Sequence, residues 1–227
     1  LHKKLLDLKL TIVISIIITQ RQITFLIYAL PHVNGIKYFM NKEFISFMRN
    51  RVSQPALNAP APTESEWELI LSAASRAADH GNLKPWRFCI FEGEGRSKLG
   101  QIYWHHALSE VESMPDSKKE SFVKKAYRAP AVLLIYASIQ DHPKVPAIEQ
   151  VMAVSAAAQQ VLLGLNALGY GAIWRSGPAC FTQKTKELLS LKDNDQIVGL
   201  IYVGTPSEKP AFIPEVELAN HLTWVRD

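Results

Sequence analysis

Only two cysteines, Cys89 and Cys180, occur in 227 residues. They lack the number and spacing of a disulfide framework or a CxxC site, which places the chain in a reducing compartment, the cytoplasm, with both thiols acting as small hydrophobes. Metal-ligand spacing is also missing. His105 and His106 have no carboxylate or cysteine at a matching interval, so they read as surface residues and no metal is expected. Gly93 and Gly95 lack the third glycine of a dinucleotide fingerprint and belong to an acidic turn. Aromatic residues do not alternate with basic ones as nucleic-acid stacking would require, and no internal repeat is present. Neither a Ser-His-Asp set nor a pair of carboxylates stands out, so no side chain is assigned a catalytic role.

The formal charge of +4 is confined to one end of the chain. Residues 1–39 hold Lys3, Lys4, Lys9, Arg21 and Lys37 against Asp7 alone, and the remaining 20 basic and 20 acidic residues cancel. A neutral body argues against nucleic acid or an acidic membrane surface as partner. The leader is rich in isoleucine and runs into Met40, which reads as a start. Residues 10–30 are long enough to span a bilayer, but Arg21 in the middle would cost roughly 2.5–3.5 kcal/mol there. No small-residue cleavage site follows closely enough for a secretory signal. The expectation is that residues 1–39 are a non-native or unstructured leader and 40–227 a single domain, with no membrane association unless that leader is real. An anchor, a signal and a structural extension stand as alternatives.

From Met40 onward, helices and strands interleave without a repeating βαβ period, which predicts one α+β domain rather than a doubly wound sheet. Phe44, Phe47 and Met48 recur at helical spacing over 41–51. Pro55, Pro60 and Pro62 read as an extended linker. Thr63 and Glu66 form a capping-box pattern opening a helix that carries Trp67, Ile70, Leu71, Ala74 and Ala78. Strands are predicted over 87–91, 131–138, 170–174 and 196–203, and helices over 97–112, 116–127 and 182–189. Residues 146–168 are apolar nearly all round, which demands a central helix covered by its own domain or by a second subunit; Gly169 suits its C′ position.

Three segments carry ligand chemistry. Arg51, Val52 and Ser53, at a helix-to-loop junction, offer donors of the kind that hold a phosphate, although basic residues there also complement the helix dipole. Arg76 and His80 close a helix ahead of the Asn82-to-Trp86 loop. Trp174, Arg175 and Ser176 end a short strand between Gly171 and Gly177, bringing an aromatic, a permanent cation and a hydroxyl together where glycine lets a ligand approach. Together with Pro85-Trp86, Arg128-Ala129-Pro130, Lys144-Val145-Pro146 and Gly204-Thr205-Pro206, in this order and spacing, they resemble the nitroreductase family of flavin enzymes over residues 49–206, and within it the compact bacterial NAD(P)H nitroreductases.

That resemblance implies a nitroreductase-like α+β fold, a central mainly antiparallel sheet flanked by helices, in an interlocked homodimer with FMN at the interface. By position, Arg51, Val52, Ser53, Trp174, Arg175 and Ser176 would meet FMN from one subunit, and Arg76 and His80 from the other. Gly164, Leu165, Asn166, Ala167, Leu168 and Gly169 match a stretch assigned to NAD(P), although they are also what the end of a buried helix needs. Two departures stand out: Val52 replaces a second arginine, and Ala78 stands where proline is common. The implied activity uses NADH or NADPH to reduce nitroaromatics, quinones or similar small acceptors by a ping-pong transfer through the flavin. A flavin reductase of enones or small aldehydes and a non-catalytic flavin-binding protein remain open.

Overall fold

The structure is a computed structural model that describes the backbone of residues 13–19 and 22–28, together with residues 42–111, 113–209, 213 and 215–226. The chain divides into two compact units, Leu1–Ser46 and Phe47–Asp227. In the first, β1 (Val13–Thr19) and β2 (Gln22–Tyr28) pair antiparallel, with Val13 opposite Tyr28 and Thr19 opposite Gln22. Helix α1 (Lys42–Arg49) crosses the division between the units, with Glu43 in its first turn and Arg49 in its last, each matched to the helix dipole.

The second unit is built on an antiparallel sheet. Its order is β3 (Leu57–Asn58), β7 (Gln196–Pro206), β5 (Ala131–Ala137) and β4 (Trp86–Glu92), with β6 (Gly171–Arg175) also paired to β7. β5 is the apolar run Ala-Val-Leu-Leu-Ile-Tyr-Ala, and its alternating side chains feed two cores. Leu133 and Ile135 join Ile201 and Val203 beneath α2 (Glu64–Ala74) and α5 (Ala147–Ala167), where Trp67, Ile70, Val154, Val161 and Leu165 close the layer. Val132 and Leu134 point the other way with Leu200 and Tyr202, against Leu99 and Ile102 of α3 (Ser97–Glu110). The predicted α+β class, with helices on both faces of the sheet, is what the chain forms.

Local chemistry explains where elements stop. The Thr63 hydroxyl accepts from Glu66 N at 3.4 Å while Thr63 N donates to Glu66 Oε2 at 2.8 Å, the reciprocal pair that opens α2. The helix ends at Ala74 rather than near Ala78, because the Ser75 hydroxyl donates back to the Leu71 carbonyl at 2.8 Å and the chain tightens into short turns. The predicted 116–127 helix is broken: only α4 (Lys119–Val123) is α-helical, between two 3-10 turns. The predicted linker holds β3, whose two residues pair with Thr205 and Pro206. α6 (Gln183–Leu188) starts on Thr182, which caps Thr185 N.

Thr63→Ala is expected to lower stability by about 1 kcal/mol, read as a lower urea midpoint at neutral pH. The Thr63 N–H, then the Thr63 hydroxyl and the Tyr170 hydroxyl, hold the Glu66 carboxyl below the ordinary carboxylate range. A depressed carboxyl contributes stability above its unfolded pKa and loses it as pH falls through its folded one. The gap between Thr63→Ala and the parent should therefore narrow in acid.

α5 is the central helix that its apolar sequence requires, but only one side is covered. Val154, Ala157, Ala158, Val161 and Leu165 are wholly buried, whereas Ile148 and Met152 are 58% and 61% exposed. By length and composition alone α5 could cross a membrane; its packing on the sheet and α2 accounts for its apolarity instead. The buried Gln150 accepts from Gln140 N at 2.9 Å and donates to the Gln140 and Val145 carbonyls at 2.8 and 3.3 Å, tying the preceding loop to the first turns of the helix.

Candidate functional site

The N-terminal motif sits where α5 ends and β6 begins. Gly169, with φ +83°, turns the chain out of α5, and Tyr170 N bonds back to the Leu165 carbonyl at 2.9 Å. Gln54 N donates to the Ala172 carbonyl at 2.9 Å, laying residues 51–54 against β6. Gly171 permits this approach: a Cβ there would stand 2.8 Å from Leu57 Cδ2 and 3.0 Å from Gln54 Cβ. Between these segments lies a cavity of about 220 Å³ lined by Arg51, Val52, Asn166, Gly169, Tyr170 and Gly171, among others. Arg51 is half-buried, and its guanidinium has no hydrogen bond or ion pair among the described residues. The carbonyl end of α5 points a partial negative charge the same way, so Arg51 is the group that makes this cleft receptive to an anion. Ser53 is exposed beside it.

Trp174, Arg175 and Ser176 occupy the far end of β6, roughly 13 Å from Gly171 at strand rise. The Trp174 indole is held by its own sheet. It packs over Gly199, where a Cβ would come within 2.1 Å of Nε1, and it donates to the Val198 carbonyl at 3.3 Å. Arg175 and Ser176 are exposed, with the Arg175 guanidinium 5.8 Å from the Tyr202 ring centroid. The Tyr202 hydroxyl meets that of Tyr103 at 2.5 Å, and burial pushes both phenols upward, so both stay neutral through the physiological range.

Arg76 and His80 lie at the opposite end of α5 from Arg51. Tyr170, just past α5, donates its hydroxyl to Glu66 Oε2 in the first turn of α2 at 2.9 Å, and Ile70 packs on Gly164. His80, beyond the end of α2, meets Glu149 Oε2 in the first turn of α5 at 2.5 Å. α2 and α5 are thus antiparallel, and the helix rise from Glu149 to Asn166 is about 25 Å. Arg76 is exposed, and the neighbouring Asp79 is taken by Lys84 N at 2.7 Å.

One chain therefore gathers Arg51, Val52, Asn166 and Gly169, sets Trp174 to Ser176 along the same strand, and holds Arg76 and His80 far from Arg51. Within the 164–169 stretch the roles divide. Leu165 is core, Gly164 is the contact with α2, and Ala167 and Leu168 are exposed, which leaves Asn166 and Gly169 at the cavity. The site residues read from the sequence did not include Gln54, Leu162, Tyr170 and Pro206, which also line it. Leu162 was available from periodicity, one helical turn before Asn166; Pro206 belongs to a quoted motif, but only the β3–β7 pairing brings it to the cavity.

An antiparallel sheet with helices on both faces, and a cleft at its edge strand with Arg51 in its wall, define the class as α+β. The chain belongs to the nitroreductase family, whose model, described as "Nitroreductase family", matches residues 48–205. It is 34% identical over 166 residues to "Putative NAD(P)H nitroreductase YdjA" of Escherichia coli (strain K12), covering 73% of this chain and 89% of that one. Against the Haemophilus influenzae protein "Putative NAD(P)H nitroreductase" it is 31% identical over the same shares. Among solved structures, a nitroreductase-like family protein from Bacillus cereus superposes with a TM-score of 0.71 at 18% identity, over 85% of this chain and all of that one. The FMN-dependent nitroreductase NfnB from Mycobacterium smegmatis, solved in complex with NADPH, gives 0.64 at 14% identity, over 82% and 99%. These two likenesses are of fold.

Proposed function

We propose that this protein is an NAD(P)H-dependent oxidoreductase that binds FMN between two copies of the chain and reduces nitroaromatic, quinone or similar small acceptors by ping-pong transfer. The observation that carries this reading is the half-buried Arg51, which lines the cavity between α5 and β6 and whose guanidinium has no hydrogen bond or ion pair among the described residues. Its charge and fork of donors fit a phosphate, and the open backbone at Gly169 and Gly177, where a Cβ would meet nothing within 4 Å, leaves room for a bulky group along β6. When bound, FMN supplies the two-electron chemistry, with NADH or NADPH as reductant.

The chain's own residues bind and orient. Arg51, Val52 and Ser53 hold the phosphate end, the valine through its main chain. Arg175 and Ser176 present a cation and a hydroxyl farther along the strand, and Trp174 fixes the backbone that carries them. Arg76 and His80 act from the second copy, a reading supported by their separation from Arg51 within one chain. The exposed Ile148 and Met152 of α5, and Val216 and Trp224 near the C-terminus, supply apolar surface of the kind a partner covers. Within the 164–169 stretch the contact with NAD(P) is assigned to Asn166 and Gly169, an assignment supported by their lining the cavity.

The purified full-length chain supplied with FMN is expected to be yellow, to bleach on addition of NADH or NADPH without oxygen, and to regain its colour with a nitroaromatic or quinone. Steady-state rates should give parallel double-reciprocal lines. A yellow protein that neither nucleotide bleaches would instead be a flavin-binding protein, and a colourless one would overturn the reading altogether.

A further inference from the structure

Arg175 ends β6 with no charged group to hold it. Among the described residues its guanidinium makes no hydrogen bond and no ion pair, and its one aromatic contact is Tyr202, with the guanidinium carbon 5.8 Å from the ring centroid. The sheet register makes that contact. Ile173 stands opposite Tyr202 and Arg175 opposite Leu200, so Arg175 and Tyr202 are diagonal neighbours on one face of the β6–β7 pair, within reach of an aromatic and a long side chain. Tyr202 itself is fixed. It is 2% exposed, packs with Val132 and Leu134, and ties its hydroxyl to that of Tyr103 in α3 at 2.5 Å. Burial keeps the Tyr202 phenol protonated through the physiological range, so what meets Arg175 is a neutral ring rather than a phenolate.

We propose that Tyr202 is a positioning residue for the cofactor: its ring seats the Arg175 guanidinium in the place from which it meets bound FMN, which rests on the reading of Arg175 as an FMN ligand. A long side chain at an exposed strand end samples many rotamers, and a ligand that uses it must freeze them. A cation held over a buried ring has part of that freedom removed before the ligand arrives. The attraction is to the aromatic face, so phenylalanine can stand in for the tyrosine and an aliphatic residue cannot. The Tyr103 hydroxyl, released by such a change, belongs to a half-buried side chain that water can reach.

In the flavin-free full-length protein, NMR should show the Arg175 side-chain protons displaced upfield by the Tyr202 ring current. Tyr202→Phe should keep that displacement and the order of the Arg175 Nε–Hε group, and Tyr202→Leu should lose both. FMN affinity should follow, staying within about twofold of the parent for Tyr202→Phe and falling about three- to tenfold for Tyr202→Leu. In an Arg175→Ala background Tyr202→Leu should have no further effect, which separates seating the arginine from general packing. The ring-current displacement needs no substitution and decides the case in which Tyr202→Leu fails to fold. No displacement in the parent, equal losses in Tyr202→Phe and Tyr202→Leu, or an effect of Tyr202→Leu that persists without Arg175 would each overturn this role alone. A parent that binds no FMN overturns the flavin reading of the site, and this role with it.

Discussion

Replacing Gly199 by alanine is expected to destabilise the protein by about 2–4 kcal/mol and to weaken flavin binding with it. The added methyl group would arrive 2.1 Å from Trp174 Nε1, 2.7 Å from Cδ1 and 3.2 Å from the Arg175 carbonyl. The indole would have to leave its bed on β7, giving up its bond to the Val198 carbonyl and its packing against the α5-side core. Overpacking typically costs about 1–3 kcal/mol, and an unpaired indole N–H adds a comparable amount. For a domain of this size that is a fall in melting temperature of roughly 5–15 °C. Because Trp174 leads directly into Arg175 and Ser176, fluorescence titration with FMN should show a lower affinity as well. Unchanged melting together with unchanged FMN affinity would mean that the indole is not what positions this end of β6.

Arg51→Ala is expected to lower FMN affinity by about 10- to 100-fold while leaving the thermal stability of the flavin-free protein within a degree or two. A charge-assisted hydrogen bond contributes about 1.5–3 kcal/mol, and Arg51 has no partner among the described residues that its loss would orphan. Arg51→Lys should fall between the two, since it keeps the charge but not the planar fork. Raising the salt concentration should narrow the difference. If Arg51→Ala binds FMN as well as the parent, the phosphate is not held in this cavity.

Much of the fold was legible because each core element has a strong local signature. β5 is an uninterrupted apolar run, α5 is apolar around most of its circumference, and α2 opens with a capping box whose bonds form as the pattern implies. Elements that depend on a distant partner were not legible. β3 is two residues long and exists because Thr205 and Pro206 offer it an edge, and the premature end of α2 depends on one serine hydroxyl choosing a carbonyl. The candidate site shows the same division. Arg51 and Val52 meet Asn166 and Gly169, more than a hundred residues on, around one cavity, while Trp174, Arg175 and Ser176, grouped with Arg51 by the motif order, lie farther along the chain past it. The seating of Trp174 on Gly199 has no trace in spacing, since it depends on how two separate strands pair.

The antiparallel pairing of α2 with the 21-residue α5 has a consequence for the proposed pair of chains on dilution. If the proposed ligand-holding groups at opposite ends of so long a rod serve one cofactor, that cofactor is a bridge between chains, and subunit association and cofactor retention are thermodynamically linked. The bound molecule would then act as molecular glue, and stripped protein is expected to separate at concentrations where loaded protein remains paired.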